Sequence, residues 1–364
     1  MEFNTKKYYP QLDALRAFAF LSVFFYHTIH PSKGVTPFGR FIYLVWSNLY
    51  LGLDIFFVLS AFLLTFLGIN EYNKTGKFSF KNYFARRVLR IWPLYYLLMF
   101  FSFVILKYFK NQYAVQISLP EASWYLFFIS NYYTKEHVFF LRILWTLSVE
   151  EQFYILWGFC LLFFQKSIVK VIVLFFTISL VFNFIGAYNK AAIALNTLSY
   201  LLDMMVGAYA AYALIYSKKI IKVVHKIKGI KQLLFYCFLP VLFFLYFLMK
   251  NLYGGSYNKI LEEIVREIFI IYIGFVILHQ MLFDKSSFSL SKNKFLIYTG
   301  KISFGLYCFH GIVISLFSIF LVKSNVHILI IFKMMLMLGI TFGIASMSYY
   351  LFEKPFLKLK EKMR

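Results

Sequence analysis

Charged and titratable side chains inside long apolar stretches are costly, and by default they mark function. The first such stretch reads LDALRAFAFLSVFFYHTIHP and carries Arg16 and His27, which are 27 − 16 = 11 positions apart. At about 100° per residue those steps turn a helix through about 1,100°, close to three full turns. Both side chains then share one face, separated by about 16 Å along the axis. An imidazole oriented by a carboxylate can act as a general base. The plainer reading is a snorkelling arginine and an interfacial histidine.

A second stretch, LWTLSVEEQFYILWGF, sets Glu150 and Glu151 at the head of an apolar segment. Adjacent helical residues point about 100° apart, so only one of the two reaches a given neighbour. Ser148, three positions before Glu151, also fits an N-terminal cap with acid in the first turn. Asp54, in GLDIFFVLSAFLL, needs a cationic partner. Arg16 is a candidate, and Asp13 is the other carboxylate that Arg16 could neutralise. In KNYFARRVLRIWPLYY, Arg86, Arg87 and Arg90 stand at the entry to the next apolar block. Arg87 and Arg90 are three apart and share a helix face. They are either ordinary positive-inside anchors or a clamp for phosphate, to which the planar guanidinium fork is suited. His310, in ISFGLYCFHGIV, and Asp203 are deep polar residues of the kind that tie helices together. Glu353, in SYYLFEKPFLKL, reads as structural and paired with a local base.

The elements that must position these residues are apolar helices. Of 364 residues 61% are hydrophobic and 15% charged, with a mean hydropathy of +0.71. A soluble domain carries about a quarter charged residues. The apolar residues come in blocks of about 20, the length that crosses a bilayer core. About ten can be drawn, at 12–31, 43–69, 91–109, 144–165, 168–187, 191–216, 233–250, 263–283, 302–322 and 327–352. The fold class expected is therefore all-α, a polytopic membrane protein forming one membrane-embedded domain over 1–364 without an appended soluble domain.

The net charge of +23 does not indicate nucleic acid. The basic residues sit in short connections between apolar blocks, where they set orientation and meet anionic lipid. The connections holding Lys6 and Lys7, Lys74 to Arg90, Lys166, the run KKIIKVVHKIKGIK, Lys285 to Lys301 and the tail are basic. The alternate ones, 32–42, 110–143, 188–190, 251–262 and 323–326, are poorer in lysine and arginine and carry Glu121, Glu136, Glu262 and Glu263. An even number of spans then puts both termini in the cytoplasm, with His27, Glu150 and Glu151 toward the outer half. The connection 110–143 holds apolar pieces too short to span, which suits a folded cap or re-entrant segment. Cys160, Cys237 and Cys308 lie inside apolar segments, with neither a disulfide framework nor metal-ligand spacing. The N-terminal stretch carries Asp13 and Arg16 and does not read as a cleaved signal.

Six pieces in order resemble the bacterial membrane acyltransferase family 3, whose members O-acylate cell-surface carbohydrates and some small molecules. They are LDALRAFAFLSVFFYH, DIFFVLSAFLL, RRVLRIWPLYYL, LWTLSVEEQFYILW, ISFGLYCFH and SYYLFEKPFLKL. The resemblance implies acyl-coenzyme A, most simply acetyl-coenzyme A, as donor. It also implies Arg16, His27, Arg87, Arg90 and Glu151 as the functional set. Two departures stand out: Ala61 where glycine is usual, and no aromatic residue and proline after His310. On this reading Arg86, Arg87 and Arg90 hold the donor phosphates. The pantetheine arm runs along the Arg16 face, and His27, oriented by Glu151 with Glu150 in reserve, deprotonates an acceptor hydroxyl. An acyl-histidine variant stays open. The competing class is a transporter or flippase of a polar lipid or glycan, for which internal repeats and broken helix pairs are the usual pointers, and neither is evident.

Overall fold

The computed structural model describes residues 8–28, 43–108, 119–133, 139–189, 195–252, 256–283, 289–320 and 327–362. Lys6, Lys7, Lys285, Glu136, the connections 32–42 and 323–326 and parts of 110–143 lie outside them. The described residues are helical, without strands. Within the described residues each apolar block drawn above overlaps a helix. Six helices are long and apolar enough to cross a membrane by length and composition, or seven if 294–301 and 303–317 form one broken span. Outside that set fall the helices that begin at Pro10, Trp145 and Ser256. They carry His27 with Arg16, the Glu150–Glu151 pair and the run EEIVRE, so the polar residues themselves lower the apolar content.

The chain packs as two compact units. Unit 1 contains α1 (Pro10–Thr28), α2 (Gly52–Thr75), α7 (Ile168–Asn189), α8 (Thr197–Tyr216), α9 (Lys218–His225), α10 (Ile230–Leu252), α11 (Ser256–Leu282) and α12 (Lys294–Lys301). Unit 2 contains α3 (Phe80–Tyr108), α4 (Leu119–Leu126), α5 (Phe139–Arg142), α6 (Trp145–Phe163) up to Phe159, α13 (Ser303–Phe320), α14 (His327–Ser348) and α15 (Lys354–Glu361).

In unit 1, α1 starts on a proline, whose fixed φ suits the first helical turn. It has Asp13 near its positive end and His27 near its negative end, as the helix dipole favours. Its buried side is built from small and apolar residues, including Ala14, Ala17, Ala19, Phe20 and Val23. The helix α2 stops at Gly76, whose φ of 70° closes the last turn by donating its N–H to the Tyr72 carbonyl at 2.8 Å. The core joins Val58, Phe62 and Phe66 of α2, Leu202 and Val206 of α8, and Ile270 and Ile273 of α11. Helices α2 and α8 come close because position 207 has no side chain: a Cβ there would run into the Val58 carbonyl.

Unit 2 is organised by aromatic residues. Tyr95, Tyr125, Phe140, Phe153 and Trp157 are among its largest fully buried side chains. Three buried tyrosine hydroxyls meet backbone carbonyls: Tyr95 donates to Tyr125 at 2.7 Å, Tyr83 to Tyr154 at 3.0 Å and Tyr307 to Ile143 at 3.0 Å. The short helix α4 and the turn after it form the folded piece expected within 110–143. Phe128, at a positive φ of 54°, is held there by its ring stacked on Tyr95 at 4.4 Å and by Gln152 Nε2 donating to its carbonyl at 2.8 Å. A π-helical turn, Tyr349–Glu353, links α14 to α15. The third apolar block was drawn from residue 91, whereas α3 begins at Phe80 and continues past Pro93. The basic run is thus part of the helix and not a connection leading to it.

Replacing Gly207 by valine is expected to drive α2 and α8 apart and to cost about 1–3 kcal/mol. The check is a lowered thermal unfolding midpoint of the detergent-purified variant beside wild type.

Candidate active site

Helix α1 is unbroken from Pro10 to Thr28, so the three-turn relation between Arg16 and His27 holds. Arg16 Nη1 donates to Asp13 Oδ1 at 2.7 Å, and Tyr8 holds the other carboxylate oxygen. Of its two possible partners, Arg16 therefore takes Asp13. His27 is half-buried in the last turn, with its ring against Tyr26 at 4.8 Å. Tyr26 packs on Tyr50 at 5.9 Å, Tyr50 on Tyr246 at 6.1 Å, and Lys250 Nζ lies 4.3 Å from the centre of the Tyr50 ring. The histidine end of α1 is thus bordered by tyrosines and a lysine.

Asp54 is buried, but its partner is not Arg16. Arg266 Nη2, on α11, lies 2.9 Å from Asp54 Oδ1 and 3.3 Å from Asp203 Oδ2. Nη1 of the same guanidinium lies 2.9 Å from Glu263 Oε1 and 3.5 Å from Glu267 Oε1. The correction has a plain cause: Asp13 is one helical turn from Arg16 on the same helix, and Arg266 arrives from a distant part of the chain. Asn183 Nδ2 on α7 adds a donor to Glu267 at 3.2 Å, and Arg266 stands over the Tyr200 ring at 5.9 Å. Arg266 and Glu267 went unrecognised in the sequence, and Glu263 stood there only as an acidic residue of an outer connection. The four charges in EEIVRE, spaced for one helix face at the head of an apolar segment, were the signal that could have found them.

In unit 2, Glu151 is 1% exposed. Its Oε2 accepts from Trp92 Nε1 at 3.3 Å, and its Oε1 has no hydrogen-bond donor among the described residues. The charges of Arg87 and Glu150 both act on this carboxyl. Glu150 is half-buried and accepts from Tyr154 at 2.8 Å. The two carboxylates thus have different surroundings, as their angular separation implies. Arg87 is buried with its guanidinium 5.9 Å from the centre of the Tyr154 ring. Arg86 and Arg90 are half-buried. Glu353 accepts from Ser348 at 3.0 Å, and the charge of Arg90, from a distant part of the chain, also acts on it. Ser148 is not a cap. It lies inside α6 and shares a hydrogen bond with Ser130 at 2.8 Å, because the helix already starts at Trp145. His310 is fully buried in α13 and donates Nδ1–H to the Tyr307 carbonyl one turn back in the same helix. Among the described residues no group of His, Cys, Asp and Glu could hold a metal ion.

Many apolar helices with buried ionic groups define a multi-pass membrane protein with polar sites inside its helix packing. Its family follows from comparison with known proteins. The family model described as an acyltransferase domain, family 3, matches residues 9–347, and the chain belongs to that family. It is similar to a provisionally named O-acetyltransferase of Staphylococcus aureus (strain COL), 28% identical over 98% of this chain and 58% of the relative. The peptidoglycan O-acetyltransferase OatA of Listeria monocytogenes is 24% identical over 97% of this chain and 56% of its own. A provisionally named peptidoglycan O-acetyltransferase of Bacillus subtilis (strain 168) is 34% identical over 42% of this chain and 23% of its own. The chain spans a little over half the length of the first two. No solved structure matches it.

Arg266→Met leaves four carboxyl groups without their shared cation and is expected to cost about 3–5 kcal/mol, as breaking a buried ion pair does. Arg16→Gln removes one local contact and should cost clearly less. Thermal unfolding of the two variants in detergent ranks them, and equal losses would contradict the assignment.

Proposed function

We propose that this protein is a membrane O-acetyltransferase that moves an acetyl group from acyl-coenzyme A to a hydroxyl of an extracytoplasmic or lipid-linked carbohydrate. The observation that carries the reading furthest is Glu151: a carboxylate 1% exposed, with one oxygen open among the described residues, in a chain of the acyltransferase family. A carboxyl kept out of water with a free acceptor oxygen is what an orienting partner for an imidazole requires.

In this reading His27 is the general base and Glu151 the carboxylate that orients it, with Glu150 beside it. His27 takes the proton of the acceptor hydroxyl, whose oxygen forms the new ester bond to the acyl carbon. The carbon–sulfur bond of the thioester breaks, the electron pair leaves on coenzyme A sulfur, and that thiolate collects a proton. Arg86, Arg87 and Arg90 of α3 receive the donor's phosphates. Arg16, held by Asp13, lines the donor's path on the face that leads to His27. Both termini lie in the cytoplasm, and the protein resides in the cytoplasmic membrane. The peptidoglycan acceptor named for two of the relatives makes a cell-wall glycan the first acceptor to try.

His27→Ala is expected to lose more than about 100-fold in transfer, the lower range for removing a general base, while remaining folded and membrane-inserted. Glu151→Gln should lower turnover with little change in donor affinity. Arg87→Ala should weaken donor binding more than it slows turnover at saturating donor. The checks are isothermal titration of acetyl-coenzyme A into detergent-purified protein and release of free thiol with a muropeptide acceptor. Full activity of His27→Ala, or wild-type protein that is folded and binds no acyl-coenzyme A, would sink the reading; the second result would turn attention to a flippase.

A further inference from the structure

The cluster around Arg266 plays no part in the transfer chemistry above, and its composition is unbalanced. Asp54 of α2, Asp203 of α8, and Glu263 and Glu267 of α11 all contact one guanidinium. Fully ionised, they would leave 4 − 1 = 3 net negative charges around it. Of the other charged groups nearby, Lys250 of α10 lies against Tyr50 and Tyr246 and acts on Glu262, which accepts from Tyr246. That lysine is therefore matched to its own glutamate. Tyr200 of α8 faces the guanidinium with its ring, and α7 offers only the neutral Asn183.

The geometry sorts the four carboxyls into two pairs, one on each terminal nitrogen of Arg266. On Nη2, Asp54 is near at 2.9 Å and Asp203 farther at 3.3 Å. On Nη1, Glu263 is near at 2.9 Å and Glu267 farther at 3.5 Å. Within each pair both carboxyls converge on the same nitrogen of Arg266, so two like charges would lie side by side. Two carboxylates so placed repel each other, and a proton on one of them removes that repulsion and makes it a donor. Donors are otherwise missing here: Asp54 Oδ2, Glu267 Oε2 and Asn183 Oδ1 are buried with no hydrogen-bond partner among the described residues, and their residues are at most 5% exposed. A buried carboxyl without its own counter-charge takes up a proton rather than staying ionised. No group among the described residues is suited to a metal ion, and the guanidinium already occupies the centre where a larger cation would sit.

We propose that this cluster is a proton-binding site of unit 1, holding one proton on the Asp54–Asp203 pair and one on the Glu263–Glu267 pair. The near members, Asp54 and Glu263, carry the charge that Arg266 neutralises. The far members, Asp203 and Glu267, carry the protons and donate them to their neighbours. Release of those protons would set four negative charges around one guanidinium and loosen α2, α8 and α11 from one another.

The test is infrared difference spectroscopy of the full chain in detergent at neutral pH, with exchange from water into deuterium oxide. Wild type should show the carbonyl stretch of protonated carboxylic acids, shifted by deuterium. Asp203→Asn and Glu267→Gln should each remove a share of that band and the double variant both shares, with the chain still folded because the amide imitates the protonated acid. Asp54→Asn, which removes the ionised partner of Arg266, should be the less stable variant in thermal unfolding. A wild type without the band, a band unchanged in the double variant, or an Asp203→Asn protein less stable than Asp54→Asn would each overturn the assignment.

Discussion

Arg266 reaches carboxyls on three helices through the two nitrogens at the end of one side chain, in surroundings where water cannot intervene. Each ion taken out of water costs several kcal/mol after relaxation, and that cost is recovered only where geometry and further hydrogen bonds are good. The helix positions of unit 1 are therefore interdependent. Asp54 can meet Arg266 only if α2 keeps its depth beside α11, and Asp203 only if α8 does the same. The bare backbone at Gly207, against the Val58 carbonyl, lets α2 and α8 lie close enough for both contacts. Asn183 then fastens α7 by bonding Glu267 and the Ser199 carbonyl with one amide.

Unit 2 meets the same constraint by different means. Its buried hydroxyls on Tyr83, Tyr95 and Tyr307 donate to backbone carbonyls, so these three polar groups are satisfied without charge. Trp92, Tyr95 and Phe128 stack into one aromatic body, and the indole N–H of Trp92 is left to meet Glu151. A carboxylate can be kept at 1% exposure with an unused oxygen because rigid aromatic walls exclude water from it. Gln152, one residue on, turns away to bond the Phe128 carbonyl and the Asn131 side chain, which fixes the rotation of α6 about its axis.

Helix α1 connects the two chemical ideas in unit 1. Arg16 is tied down by Asp13 and through it by Tyr8, which leaves it little freedom to leave the helix surface. His27 sits three turns away among tyrosines. A straight helix with a fixed cation at one end and an imidazole at the other keeps a constant distance between them, which a long, thin acyl donor would need.

The sequence alone determined the all-helical class, the places where helices form and the family. Those follow from apolar block length and from short local spacings such as Arg16 to His27, which a single helix realises without help from the rest of the chain. It also showed that the two adjacent glutamates, Glu150 and Glu151, had to differ in surroundings, since helical rotation separates them. The partnerships were decided by tertiary structure. Asp54 is joined to Arg266 across 212 positions, and no local pattern encodes a contact that depends on how several helices pack. The start of α3 was misjudged for a related reason: hydropathy falls where arginines begin, yet a helix continues wherever its backbone hydrogen bonds do, so Arg86, Arg87 and Arg90 belong to the helix itself. Likewise, Ser148 had the spacing of a cap, but whether a serine caps or crosslinks depends on where the preceding turn of backbone goes, and here it runs on into helix.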